Sequence, residues 1–269
     1  MAREGAVRLP TTLTAAYRTE LFRAFHSPYE TPIVVLVNGV LMVALWFMTS
    51  SNIFFSVHAT WAFPLVLSSW MYSDVPATNV FGSDAERMIK AMDDKVAMRR
   101  MLYAKNLVLM TLVIPIGAAS AVVVGYHLHR PIVTFINIAW VVLAPLGALS
   151  LAGWFGVYFP YHPIPLQTRW QNRRPFFRMI VRWLAVAMVP YGLVPALAFL
   201  VALPALLVWD WKGGIDPTSS TTDVAYGLGT ALASAIAVGL WFFGHHMTPR
   251  LAERRRAKLV AYLEDPSLG

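Results

Sequence analysis

Eight charges crowd into the fifteen positions from 86 to 100: Glu86, Arg87, Lys90, Asp93, Asp94, Lys95, Arg99 and Arg100. Apolar Ile89, Met92 and Val96 recur among them, so the segment reads as a helix with a thin apolar seam. Ser83 and Glu86 have capping-box spacing, which predicts a helix starting at Asp84. Glu86 and Lys90 are an i, i+4 pair of favourable order. Side chains of both signs around such a seam suit ion pairing with a groove on another protein. The same pattern also describes a helix packed on its own domain, and the residues leave both readings open.

Other chemistry is thin. His127/His129 and His245/His246 are close pairs without partnering carboxylates or cysteines, so they read as loop and interface residues, and no metal site is expected. Asp93 and Asp94 lack the spaced Asp ladder with which a magnesium-dependent transferase holds pyrophosphate. No G-x-x-x-x-G-K-[ST] occurs, so no nucleotide is expected to bind to this chain alone. No catalytic residue stands out, cysteine is absent, and the chain is not expected to be an enzyme.

What must position these residues is a membrane domain. Apolar stretches run at about Pro32–Ser50, Ser56–Trp70, Asn106–Tyr126, Ile132–Phe159, Val181–Val208 and Asp223–Gly244. Crossing a hydrocarbon core of ~30 Å takes about 20 apolar residues. Most stretches meet this, and the second does so if its polar end through Pro76 is included. Of the 22 Lys and Arg, 20 fall in alternate segments on one side of these stretches and 2 on the other. Basic residues flanking spans stay cytoplasmic. The expectation is an all-α, six-span protein with both termini inside, in a bacterial inner membrane. Its 269 residues form one domain: a cytoplasmic leader over 1–31, spans within 32–244 and a basic tail over 245–269. The net charge of +8 would indicate nucleic acid in a soluble protein; here it belongs to the side facing anionic lipid, and no nucleic-acid partner is expected.

The leader Thr12–His26 reads as an amphipathic interfacial helix, with Leu13, Tyr17, Leu21, Ala24 and Phe25 on one stripe and Glu20 and Arg23 on the other side. The spans carry no Asp, Glu, Lys or Arg at depth, which counts against ion-coupled transport. Asn38, Ser68, Thr111, Asn137, Trp140 and Ser234 are the polar and aromatic candidates for a central path; ordinary interhelical hydrogen bonding accounts for any one of them equally well. Gly227, Ala231, Ala235 and Gly239 make a small-residue stripe that permits close helix approach. Pro190, Pro195 and Pro204 interrupt the long fifth stretch, which reads either as a kinked span followed by a re-entrant hairpin or as one tilted helix.

The block Asn79-Val-Phe-Gly-Ser-Asp84, the charged helix after it, and Arg99-Arg100-Met-Leu-Tyr-Ala-Lys105-Asn106-Leu107 resemble the permease subunits of type-2 ABC exporters. The end of the fourth span, Gly153-Trp-Phe-Gly-Val-Tyr-Phe159-Pro160, looks like their Gly-x-x-x-Ser-x-x-x-Pro exit. Departures are Ala104 where Gly is usual before Lys105, Gly156 near the usual Ser, and no Pro before the basic pair. The resemblance implies a translocation path shared with a second permease copy or a related permease. It also implies two copies of a separate ATPase subunit, which holds the ATP and magnesium and is contacted through the leader and through Glu86–Arg100. A secondary transporter or channel, or a membrane enzyme or scaffold, are the alternative readings.

Overall fold

The structure, a computed structural model, describes residues 8–26, 29–48, 60–73, 75–162, 177–211 and 223–265. Every regular element among them is helical: α1 (Leu13–Ala24), α2 (Glu30–Met48), α3 (Phe63–Tyr72), α4 (Val75–Thr78), α5 (Ala85–Ala91), α6 (Lys95–His127), α7 (Pro131–Tyr158), α8 (Phe177–Trp211), α9 (Asp223–Arg254) and α10 (Arg256–Leu263). Five are long and apolar enough to cross a membrane: α2 from Thr31, α6, α7, α8 from Met188, and α9.

The second apolar stretch is not among the five. Its helix, α3, has ten residues and rises only ~15 Å. Pro64 sits in its first turn and the chain leaves the helix at Ser73. Polar residues and Pro76 then follow, and proline disfavours continuation of a preceding helix. Residues 51–59, which begin the stretch, lie outside the described residues. The fifth stretch resolves the other way. Pro190, Pro195 and Pro204 all lie inside one continuous helix, so no re-entrant hairpin forms within it. The last span, drawn to Gly244, continues as helix to Arg254.

The helix α7 is the centre of the bundle, flanked by α3, α6, α8 and α9. Buried side chains form three clusters along its length. At one end are Val133, Ile136, Trp140, Trp209 and Tyr226. Leu67, Met71, Val113, Leu149 and Val194 fill the middle. At the other end Phe81, Met88, Met98, Val157, Leu259 and Leu263 join the α3–α6 connection to α10. Outward-facing positions are apolar as well: Val40, Phe47, Val123, Leu200 and Leu228 are all exposed. That pattern suits a hydrocarbon surround.

The small-residue stripe of α9 faces outward. Ala231 and Ala235 are exposed, and a Cβ added at Gly227 or Gly239 would meet nothing within 4 Å. The close approaches use other glycines. A Cβ at Gly244 would come within 2.5 Å of the Ser150 hydroxyl, and one at Gly117 within 2.4 Å of that of Ser68.

Candidate functional site

The leader packs against α6 through a face that includes Glu20, from the side opposite its apolar stripe. Ala16 and Glu20 are its buried residues, whereas Leu13, Phe22 and Phe25 are exposed. Charge is the reason. The Lys105 ammonium donates to Glu20 Oε2 at 3.1 Å and to the Ser83 hydroxyl at 3.2 Å. Arg87 donates to Glu20 Oε1 at 3.3 Å and to Asp84 Oδ2 at 3.2 Å. Arg23 bonds Asp84 and also reaches Glu20 at 3.3 Å. Burial pushes the Glu20 carboxyl up, but Lys105, Arg23 and Arg87 together hold it below the ordinary carboxylate range. A buried carboxylate is tolerated when paired and hydrogen-bonded in this way. Tyr17 adds a hydroxyl bond to Thr111 at 2.8 Å.

Beside this charged hub, Asn79 works as a substitute peptide group. Its Nδ2 donates to the Tyr161 carbonyl at 2.8 Å, and its Oδ1 accepts from the N–H groups of Tyr161 at 3.1 Å and Gly82 at 3.2 Å. Gly82 is required because a Cβ there would lie 1.9 Å from the Tyr161 oxygen. Phe81 is fully buried. From the other side, a Cβ at Gly156 would lie 2.4 Å from the Thr78 carbonyl. The Asn79–Asp84 block and the Gly153–Pro160 block therefore pack directly on each other.

The charged segment is not one helix. It divides into α5 and α6 at Met92–Asp94, and no side-chain cap forms at the start of α5; the Ser83 hydroxyl goes to Lys105 instead. Asp94 caps α6, accepting from Val96 N–H at 2.9 Å and Ala97 N–H at 3.0 Å. Asp93 pairs with Arg256 at 2.6 Å and Lys95 with Glu253 at 2.7 Å, clamping the start of α6 to the end of α9 and to α10. Arg256 holds the Asp93 carboxyl below its ordinary value. Arg87 belongs to the hub. Glu86 and Lys90 are exposed on α5, while Arg99 and Arg100 line a groove with His246, Tyr103, Phe242 and Phe243.

At the far end, a cavity of about 390 Å³ opens between α3, α7 and α8, with Trp61, Trp70, Asn137, Trp140, Tyr191 and Trp209 among its lining residues. Two of the six path candidates, Asn137 and Trp140, are in that lining. Asn137 donates to the Trp61 carbonyl at 2.8 Å, and the Trp140 indole to the Thr230 hydroxyl at 3.3 Å. Asn38 joins through its neighbour, accepting from the Tyr191 hydroxyl at 2.9 Å. Ser68 is buried with its hydroxyl on the Pro64 carbonyl at 2.7 Å. Thr111 faces the leader, and Ser234 is half-buried on α9 away from the cavity.

Two arrangements have no local signature. Glu20, Asp84 and Lys105 come together across up to 85 residues; only the i, i+3 spacings Glu20–Arg23 and Asp84–Arg87 could have marked the hub. His245 lies inside α9, buried, and not in a loop. Its Nε2 accepts from the Asn106 amide at 3.1 Å, its Nδ1 donates to the Trp241 carbonyl at 2.7 Å, and Tyr103 stacks on it at 4.1 Å. Among the described residues no cluster of three His, Asp or Glu could hold a metal ion. Compared with known protein families, curated proteins and solved structures, the chain matches none of them.

Proposed function

We propose that this chain is the membrane permease subunit of an ATP-driven exporter of the type-2 ABC class in a bacterial inner membrane. It forms the translocation path together with a second permease copy or a related permease, and couples to two separate ATPase subunits. The observation that supports this best is convergence. The leader, the Asn79–Asp84 block, Lys105 and the Gly153–Pro160 exit lie far apart in sequence and meet at one end of the bundle. These are the segments that carry the resemblance. In this reading the second apolar stretch, Ser56–Trp70 with its polar end through Pro76, makes the second of six crossings. Both termini are cytoplasmic and the leader lies in the interface, in keeping with the 20-to-2 charge split.

The hub end is then the cytoplasmic end. The exposed charges of α5, Glu86 and Lys90, form the contact with the ATPase, and the ion pairs of Asp93 and Lys95 pass its movement to α9 and α10. The aromatic cavity is part of the path and takes an apolar cargo, since its lining offers little but indole and aliphatic surface. Energy comes from ATP bound by the partner.

The test is reconstitution. Co-expression with an ATPase encoded beside this chain should yield a co-purifying complex whose transport in sealed vesicles requires ATP and magnesium and persists after an uncoupler is added. Proton-driven transport is the second reading, favoured by the buried imidazole of His245 in α9. A His245→Asn variant distinguishes the two. ATP-driven export survives it, whereas transport that needs no ATPase and disappears with His245 would establish the proton-driven reading.

A further inference from the structure

Five cations near the hub end are matched by a carboxylate: Arg23, Arg87, Lys95, Lys105 and Arg256 each lie within ion-pair distance of one. Arg99 and Arg100 have no such carboxylate among the described residues. Arg99 instead donates to the Lys95 carbonyl and to His246 Nδ1, both at 3.3 Å. Both guanidinium groups line a groove of about 620 Å³ between the start of α6 and the end of α9. The rest of its lining is Val96, Tyr103, Phe242, Phe243 and His246, and the two phenylalanines are about half exposed.

An uncompensated cationic pair at the rim and an aromatic, aliphatic floor call for a ligand with one anionic end and a hydrocarbon body. The floor belongs to two helices apolar enough to cross a membrane, and the rim stands where the basic residues of both are concentrated. This is the depth at which a phospholipid presents its phosphate. Basic pockets between membrane helices on that side are suited to anionic head groups, and guanidinium groups bind phosphate oxygens through planar paired donors.

We infer that the Arg99–Arg100–His246 groove is a binding site for an anionic phospholipid. The phosphate sits between the two guanidinium groups and the first part of an acyl chain lies along Phe242 and Phe243. This rests on the chain spanning a membrane and not on its being an ABC permease. It also assigns Arg99 and Arg100 to lipid instead of to a protein partner.

The test is native mass spectrometry of the full chain in nonionic detergent, titrated with phosphatidylglycerol or with phosphatidylcholine of the same acyl chains. The wild type should retain phosphatidylglycerol with about tenfold preference. Arg99→Gln/Arg100→Gln should abolish the preference, and Arg99→Lys/Arg100→Lys, which keeps the charge but not the paired donors, should keep only part of it. Arg250→Gln, an exposed cation outside the groove lining, should leave it unchanged. Millimolar inorganic phosphate should not displace the lipid. Equal retention of the two lipids by the wild type overturns the inference, as does an undiminished preference in the Gln variant. Displacement by phosphate alone overturns the lipid assignment in favour of a simple anion site. A Gln variant that keeps its lipid preference but loses a co-purifying ATPase returns the two arginines to the protein contact.

Discussion

The Lys105 ammonium reaches Glu20 across 85 residues of chain and ties the leader helix to the start of a long apolar helix at 3.1 Å. Both side chains are about nine-tenths buried, so neither charge has a ready aqueous alternative. Removing one partner of such a pair leaves a buried charge poorly matched, at a cost of about 3 kcal/mol. Lys105→Met should therefore lower thermal stability in detergent and release α1, read as faster amide exchange over residues 13–24. Exchange unchanged from wild type would show that the leader is held by other means.

The same carboxyl predicts a pH response. Its folded pKa lies below the ordinary value of 4.5, so the unfolded state takes up the proton first as pH falls. The stabilisation is thus complete above about 4.5, and is lost as pH drops through the depressed folded value. Leader protection, taken relative to the intrinsic exchange rate at each pH, should fall in acid, and Glu20→Gln should remove that fall.

Two glycines three residues apart in α7 should behave differently. A Cβ at Gly156 collides with the Thr78 carbonyl, whereas one at Gly153 meets only a Val80 methyl at an ordinary 3.8 Å. Gly156→Ala should lower stability by about 1–3 kcal/mol. Gly153→Ala should be neutral or mildly stabilising, because alanine is the better helix former. Equal melting shifts in the two variants would contradict the packing described.

Topology is open to cysteine labelling because the chain has no native cysteine. Glu86→Cys and Lys258→Cys should react only after permeabilisation, and His127→Cys and Trp211→Cys in intact cells. All four positions are exposed. Labelling of Glu86→Cys from outside would invert the orientation proposed.

Much of the bundle was legible in the chain, since α2, α6, α7, α8 and α9 are long apolar runs and hydropathy finds such runs. The second stretch holds a shorter helix among the described residues, because Ser73 and Pro76 interrupt a segment whose average composition is still apolar. The hub was hidden for a different reason. Glu20 reads as the solvent side of an amphipathic helix until Arg87 and Lys105 are known to stand above it, and periodicity within one helix carries no information about charges on another. Asn79 and Gly82 form a local pattern, but the requirement they meet, a bare backbone at Tyr161, lies some eighty residues away.

Each of the long helices α6 to α9 has proline inside it: Pro115, Pro145, Pro190 with Pro195 and Pro204, and Pro249. Every one removes a rung of the hydrogen-bond ladder and leaves the carbonyl four residues earlier without its usual donor, those of Thr111, Val141 and His245 among them. Mechanically these are jointed rods, softer in bending at the prolines than between them. The joint at Pro249 lies just before the Lys95–Glu253 clamp. The clamp therefore joins the last turn of α9 to the start of α6 on the far side of a proline joint from the seam of α9 against α7.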